Sequence, residues 1–261
     1  MFVEPQNLSS PKVYSRIISL VPSITELLYF LDLEEEVLAI TKFCVHPARW
    51  YKTKTRVGGT KNVNTDLIKK LNPDLIIANK EENVREQVEL LSKDFDIFVS
   101  DVNNLNDAIN MIRIVGTLAG RDYLALQLCN QIHFNFKRLA DKIVLKPKIK
   151  TCYLIWRNPY MTVGGDTFIN DMMTYCGMEN IYADNKRYPK MDLKELIIKK
   201  CELLILSSEP YPFKEKHVNE IQSLIPGIKI LLADGEMFSW YGSRLLKAIN
   251  YFENIRENIC F

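Results

Sequence analysis

No stretch of the chain is apolar for the roughly 18 residues that a membrane-crossing helix needs. The opening MFVEPQNLSSPKVYSR also lacks an apolar core of the length a secretory signal requires, so a cytoplasmic protein or a trimmed mature form is expected. Charge of one sign is not in excess. The 34 basic and 32 acidic side chains leave +2, which gives no reason to expect nucleic acid or an anionic membrane as partner. Histidine is scarce, and the six cysteines (Cys44, Cys129, Cys152, Cys176, Cys201 and Cys260) form no C-x-x-C pair. Cys152 and Cys201 fall in or beside apolar runs, where cysteine acts as a small buried hydrophobe suited to a reducing compartment.

Catalytic signatures are missing as well. The first strand is not followed by G-x-G-x-x-G, and G-x-x-x-x-G-K-[ST], G-x-S-x-G and H-E-x-x-H do not occur. His133 lies in a long helical run and His217 on a helix expected to be solvated, so neither has a partner for nucleophilic catalysis. His46 precedes a proline in a loop; it reads as a structural hydrogen-bonding group, with coordination of a ligand's metal as the rarer alternative. No intrinsic metal, cofactor or catalytic residue is expected.

What is present is a rhythm. From Arg121 to Ile143, Leu124, Leu128, Ile132, Phe136, Leu139 and Ile143 recur at helical spacing with neither Gly nor Pro, which predicts one long helix. A strut between two lobes is the preferred reading, an ordinary core helix of a single domain the plainer one. Before it, Ile17–Val21, Val37–Thr41, Leu75–Ala78 and Asp96–Val102 read as short buried strands. Ser23 and Glu26 suggest a capping box after Pro22, Asn64 or Thr65 a second cap, and the pattern from Leu105 pauses at Gly116 and Gly120. After the helix, Lys146–Lys150 reads as a solvated connector. Cys152–Trp156, Leu203–Ser207 and Ile228–Ala233 read as strands; helices are expected near Met172, Leu193–Lys199, Lys216–Leu224 and Arg244–Arg256.

The expected fold is therefore α/β: two Rossmann-like lobes with mainly parallel sheets joined by one long rigid helix. The expected division is a polar tail (1–14), an N-terminal lobe (15–104), linking helices (105–145, with the strut at 121–143) and a C-terminal lobe (146–261). VGGTKN and VGGDTF, each leading into a helix, form a faint internal echo.

In such sheets ligands sit at the carboxyl ends of the strands. The loops there hold Phe43, His46, Trp50, Trp156, Tyr160, Tyr211, Phe238, Trp240 and Tyr241, including all three tryptophans. Aromatics in loops point to a wide, flat, largely apolar ligand held by stacking.

RIISLVPSITELL, VGGTKNVN, LNPDLIIANKEEN and DGEMFSWYGSRLLKAINYF together resemble the helical-backbone (class III) substrate-binding proteins of ABC importers, the family that binds cobalamin, haem and ferric siderophores. The resemblance covers about Arg16–Arg256. It implies a metal chelate clasped between two lobes, an ABC permease as partner, a monomer, and a periplasmic or cell-envelope location. Carried over by position, the ligand site would draw on Pro22, Ser23, Phe43, Trp50, Gly58, Gly59, Asn79 and Lys80 from the first lobe. The second would supply Trp156, Arg157, Tyr160, Tyr211, Phe238, Trp240 and Arg244. Permease docking would use Glu81, Glu82 or Glu86 on one lobe and Glu209 or Glu215 on the other. The alternative is a cytoplasmic two-lobed enzyme acting on a nucleotide or nucleotide sugar, which would need one of the two glycine turns to cradle phosphate.

Overall fold

A computed structural model describes residues 1–3 and 12–259, so Cys260 and most of the polar tail lie outside it. The chain divides into two compact units, 1–102 with 106–133 and 240–244, and 103–105 with 134–239 and 245–261.

In the first unit β1 (Ile17–Ser19), β2 (Val37–Ile40), β3 (Thr55–Arg56), β4 (Leu75–Asn79) and β5 (Asp96–Ser100) form an all-parallel sheet in the order β3-β2-β1-β4-β5. The apolar runs predict this, because a parallel strand covered on both faces has no solvent side to alternate toward. β4 is buried at all five positions. The order reverses at β1, which opens a crevice between the carboxyl ends of β1 and β4. The described ends of the N-terminal segment are not detached: Phe2 bridges to Ile97 on the β5 edge, and the Tyr14 hydroxyl bonds Asp96.

Helix α1 (Pro22–Phe30) corrects one expectation. No Ser23–Glu26 capping box forms; Val21 is the cap residue without a side-chain bond, and Pro22 opens the helix, where its missing N–H costs nothing. Glu26 is thereby released for another partner. By contrast Asn64 caps α3 (Thr65–Leu71) by accepting from Leu67 N–H, and Asn72 ends it in the left-handed region, ahead of Pro73. A short helix, α2 (Ala48–Thr53), occupies what reads as loop. After α4 (Arg85–Leu91) comes α5 (Leu105–Leu118), which continues straight through Gly116. The reason is contact: a Cβ at Gly116 would lie 2.3 Å from the Ala125 Cβ of α6 (Asp122–Ile143). That helix runs unbroken for 22 residues, about 33 Å, with Leu128, Ile132, Phe136 and Leu139 buried along its predicted apolar stripe. It begins in the first unit and ends in the second.

The second sheet is built on β6 (Ile149–Trp156), which starts three residues before the predicted strand and absorbs part of the expected connector. β9 (Leu203–Ser207) and β10 (Lys229–Ala233) follow in parallel on one side. The other side carries two short strands that sequence patterning missed: antiparallel β7 (Met161–Thr162) along the end of β6 and parallel β8 (Met178–Asn180) along its start. Helices α7 (Phe168–Tyr175, capped by Thr167), α8 (Lys194–Ile198), α9 (Glu215–Leu224), α10 (Gly235–Ser239) and α11 (Leu245–Ile259) complete the unit. The two glycine turns are not equivalent, since one follows a parallel edge strand and the other an antiparallel one.

An alanine in an exposed helix interior normally gains about 1 kcal/mol over glycine. Gly116→Ala is expected to do the opposite, losing about 1–3 kcal/mol by forcing α5 from α6. Urea unfolding decides the sign.

Candidate functional site

The carboxyl ends of the first sheet are closed by a segment from far along the chain. Trp240–Arg244 packs within the first unit, 240 residues after its start. Arg244 Nε donates to Glu26 Oε2 at 2.8 Å with both groups buried, and its guanidinium lies 4.8 Å from the centre of the Trp240 ring. Trp240 also meets His46 in a T-shaped contact, 5.6 Å between ring centres. Gly242, at φ +106°, sits where a side chain would press on Leu27 and the Ser23 carbonyl. Tyr241 is buried and shares hydrogen bonds with Ser23, after β1, and Ser100, at the end of β5. Its hydroxyl is thus held at the carboxyl end of the sheet where the strand order reverses.

Asn83, which sequence reasoning passed over, ties the same end together. Its amide donates to the Leu20 and Thr60 carbonyls, and its Oδ1 accepts from Asn79 N–H. Asn79 is itself buried: its amide donates to Ser100, and its Oδ1 accepts from the Glu81 and Glu82 N–H groups. Lys80 pairs with Asp101 at 2.6 Å. Phe43 remains outward, 52% exposed, with the Lys42 ammonium 5.2 Å from its ring centre. The ring passes over Gly59, where a Cβ would approach it to 3.1 Å.

At the carboxyl ends of the second sheet, Trp156 is 41% exposed and rests edge-on against Tyr211, 5.8 Å between centres. Tyr211 is braced by Phe213 at 4.8 Å and by His217, whose Nε2 lies 3.3 Å from its hydroxyl. His217 Nδ1 accepts from Lys214 N–H at 2.9 Å, so in the neutral ring the proton sits on Nε2 and is directed at Tyr211. Arg157 Nη2 donates to both Glu220 carboxylate oxygens, at 2.6 and 2.8 Å, and Arg157 also hydrogen-bonds Tyr160 and Tyr211.

Several expectations change here. The tryptophans do not all stand in loops: Trp50 is fully buried inside α2, its indole N–H donating to Glu34, and Trp156 ends a strand. Phe238 is a core side chain of α10, packed on Tyr153 and Phe252. His217 is not solvated; it is 3% exposed and caps α9. Pro22 and Ser23 form the first turn of α1, and Ser23 is buried. Of the acidic residues, Glu81, Glu82, Glu86 and Glu215 are exposed, while Glu209 is half-buried and accepts from Ser239. Glu220 and His217 were invisible as partners of Arg157 and Tyr211, because spacing along a chain carries no trace of a contact across a loop. Tyr241 had a signal, the aromatic run at Phe238–Tyr241.

Both glycine turns spend their amides internally. Gly59 and Asn62 exchange backbone hydrogen bonds, and the Gly164 and Gly165 N–H groups donate to Arg187 and Asn185. No helix of the described residues is long and apolar enough to cross a membrane, and they contain no cluster of three metal-ligating side chains.

Residues 17–223 match the model of a family described as periplasmic binding protein. The chain belongs to the periplasmic binding protein family. It is 26% identical over 194 residues to the vitamin B12-binding protein of Vibrio vulnificus (strain CMCP6), covering 74% of this chain and 71% of that one. Among solved structures, the periplasmic vitamin B12 binding protein of Vibrio cholerae superposes with a TM-score of 0.79 at 20% identity, covering 94% and 97% of the two chains. A periplasmic haem-binding protein from Pseudomonas aeruginosa gives 0.81 at 15% identity, covering 95% of each. These likenesses confirm the two-sheet α/β fold expected from the alternating pattern.

Two predictions test the site's supports. Arg244→Ala leaves the Glu26 carboxylate buried without its partner and is expected to cost about 3–5 kcal/mol, whereas Glu26→Leu with Arg244→Met costs much less than two such losses. Chemical denaturation of the single and double variants gives the comparison. Burial, with the charges of Lys216, Arg157 and Lys214, lowers the pKa of His217 below its ordinary 6.5 against the pull of Glu220. The neutral ring is thus the folded form, and its contribution is complete above about pH 6.5 and is lost as pH falls toward the folded value. Stability should decline on acidification through that window, and His217→Gln should flatten the decline.

Proposed function

We propose that this protein is a substrate-binding component of an ABC-type importer that holds a metal chelate of the corrinoid, haem or ferric siderophore kind, with strand-end loops supplying the ligand contacts. The observation carrying this reading is Trp156, an exposed indole propped by Tyr211, which is held in turn by His217 and Arg157. Such a stiff aromatic edge suits the face of a flat or rounded complex and loses little entropy on binding. Phe43 over Gly59 is its counterpart in the first unit. The names borne by the relatives, vitamin B12 and haem binding, support the same ligand class. Of the residues expected at the site, Phe43, Trp156, Tyr160 and Tyr211 are the ligand-facing set. Arg244, Trp240, Asn79 and Ser23 act behind them as fixed supports, Arg157 braces Tyr211, and Trp50 and Phe238 belong to the core.

The nucleotide-enzyme reading is disfavoured on two grounds. The buried Tyr241 hydroxyl is bound to Ser23 and Ser100 at the strand ends a dinucleotide would approach, and the amides of Gly59, Asn62, Gly164 and Gly165 are already spent on backbone carbonyls. Binding is assayed by calorimetry with cyanocobalamin, haemin and ferric siderophores. Trp156→Ala should weaken the preferred chelate up to about tenfold, in keeping with ~0.5–1.5 kcal/mol for an aromatic contact. Stabilisation by a nucleotide, with silence toward every chelate, would refute the reading.

Docking on a permease is assigned to Glu86 and Glu215. Each is exposed in the first turn of the helix that follows a corresponding inner strand, α4 after β4 and α9 after β9. Glu81 and Glu82 flank the first position, and Glu209 is the least available of the five. The reading places the protein in the periplasm or cell envelope, working as a monomer. Glu86→Lys and Glu215→Lys should each lower stimulation of the importer's ATPase while leaving chelate affinity unchanged, because rim charges govern docking more than burial does. Unchanged stimulation by both variants would dismiss these positions.

A further inference from the structure

We infer that the edge of the second unit where its parallel strands begin is a contact surface for an anionic lipid bilayer. This surface is separate from the ligand site proposed above, whose second-unit loops lie at the carboxyl ends of the same strands.

Three segments enter the parallel strands of this unit from one side: 142–148 into β6, 194–202 into β9 and 223–228 into β10. Each leaves aliphatic side chains in water. Val144 and Leu145 follow the end of α6, and Leu145 is 92% exposed. On α8, Leu196 is buried, so its neighbours Ile197 and Ile198 cannot share its inward stripe, and Ile198 stays 78% exposed. Leu224 ends α9 outside the stripe of Ile221 and Ile225 and is exposed as well. Because β10, β9 and β6 are consecutive in the sheet, their entries fall within roughly 10 Å of one another. The Glu202 N–H donates to the Lys150 carbonyl, and Arg256 of α11 donates to the Pro147 carbonyl, so these entries are tied to one another and to α11. Single exposed aliphatics are ordinary on a protein surface; five on the strand entries of one sheet form a patch.

The patch is set in positive charge. Stretches 142–150, 194–202 and 223–229 hold eight lysines against two glutamates, Glu195 and Glu202. Both are engaged: Glu195 accepts from the Tyr182 hydroxyl and Glu202 from the Lys150 N–H. The flanking acids are Asp141, Glu179, Asp192, Glu253 and Glu257, with Lys137, Arg138 and Arg256 among them, so the excess stays positive. Glu253 is spent on Lys142 at 2.6 Å. The +2 of the whole chain is a sum that conceals this local excess.

Lysines around separated aliphatic tips suit a bilayer better than a protein or a nucleic acid. Protein interfaces are depleted in lysine and bury a contiguous apolar centre. A phosphate backbone offers aliphatic tips nothing to enter. In a bilayer the tips sink one by one into the headgroup boundary while ammonium groups on flexible stems meet lipid phosphates. α9 runs from Glu215, beside the ligand loops, to Leu224 at this edge. A unit seated on lipid by the edge therefore keeps its ligand loops in water.

The full chain is sedimented with vesicles of phosphatidylcholine, alone or with about 30% phosphatidylglycerol, at about 50 mM and about 500 mM salt. Binding to the anionic vesicles alone, weakened at least about tenfold at the higher salt, is expected. Lys146→Glu with Lys148→Glu should lower that partition at least about tenfold, and Leu145→Ser severalfold. Lys52→Glu with Lys70→Glu, at exposed positions of the first unit, changes the net charge equally and should leave the partition within about twofold. Equal losses in the two double variants would reduce the effect to bulk charge and overturn the assigned surface. Absence of binding to phosphatidylglycerol vesicles at either salt would overturn it too, as would a dimer of the chain that Leu145→Ser dissolves.

Discussion

The buried ion pair between Glu26 and Arg244 governs how the first unit is finished. Arg244 arrives from the far end of the chain and meets a glutamate on the inner face of α1, so one contact fixes α1 and the whole 240–244 segment together. Such a pair contributes little net stability compared with apolar residues of the same shape, yet leaving either charge alone is severe. What it supplies is register. With Arg244 seated, Trp240 touches both its guanidinium and the His46 imidazole, Gly242 takes its left-handed turn, and the Tyr241 hydroxyl reaches Ser23 and Ser100 at the strand ends. The mouth of the first sheet thus becomes a braced wall, with Phe43 and the Lys80–Asp101 pair exposed on it.

The second unit reaches a comparable result by other means. Its wall is a chain of ring contacts, Trp156 on Tyr211, Tyr211 on Phe213 and His217, stiffened by Arg157 and Glu220. An exposed indole would ordinarily sample several rotamers; here an aromatic neighbour and a second layer of hydrogen bonds narrow the choice. In both units the outward aromatic is the last member of a supported series.

The elements legible in the sequence were those whose physics is local. The continuous apolar runs at Leu75–Ala78 and Leu203–Ser207 read as buried strands and are inner parallel ones, and the stripe from Leu124 to Ile143 reads as the helix it forms. Of the two cap candidates Asn64 and Thr65, Asn64 takes the role. Expectations failed where a distant partner overrode a local pattern. Glu26 had the spacing of a capping box but was drawn to Arg244, and Gly116 resembled a helix stop but is a contact point for Ala125. β7 and β8, of two and three residues, are too short to show any periodicity. For the site, the aromatic residue types were legible and their depths were not: Trp50 and Phe238 share the composition of Trp156 but lie in helices that turn them inward.

The late segment that completes the early unit also bears on synthesis. A ribosome delivers the five strands of the first sheet well before Trp240–Arg244, so that sheet must wait, through the making of nearly the whole second unit, with its strand ends uncovered and Glu26 unanswered. Completion of the amino-terminal unit consequently follows synthesis of most of the carboxy-terminal one. A product truncated before residue 240 would carry every strand of both sheets and still lack the piece that closes the first.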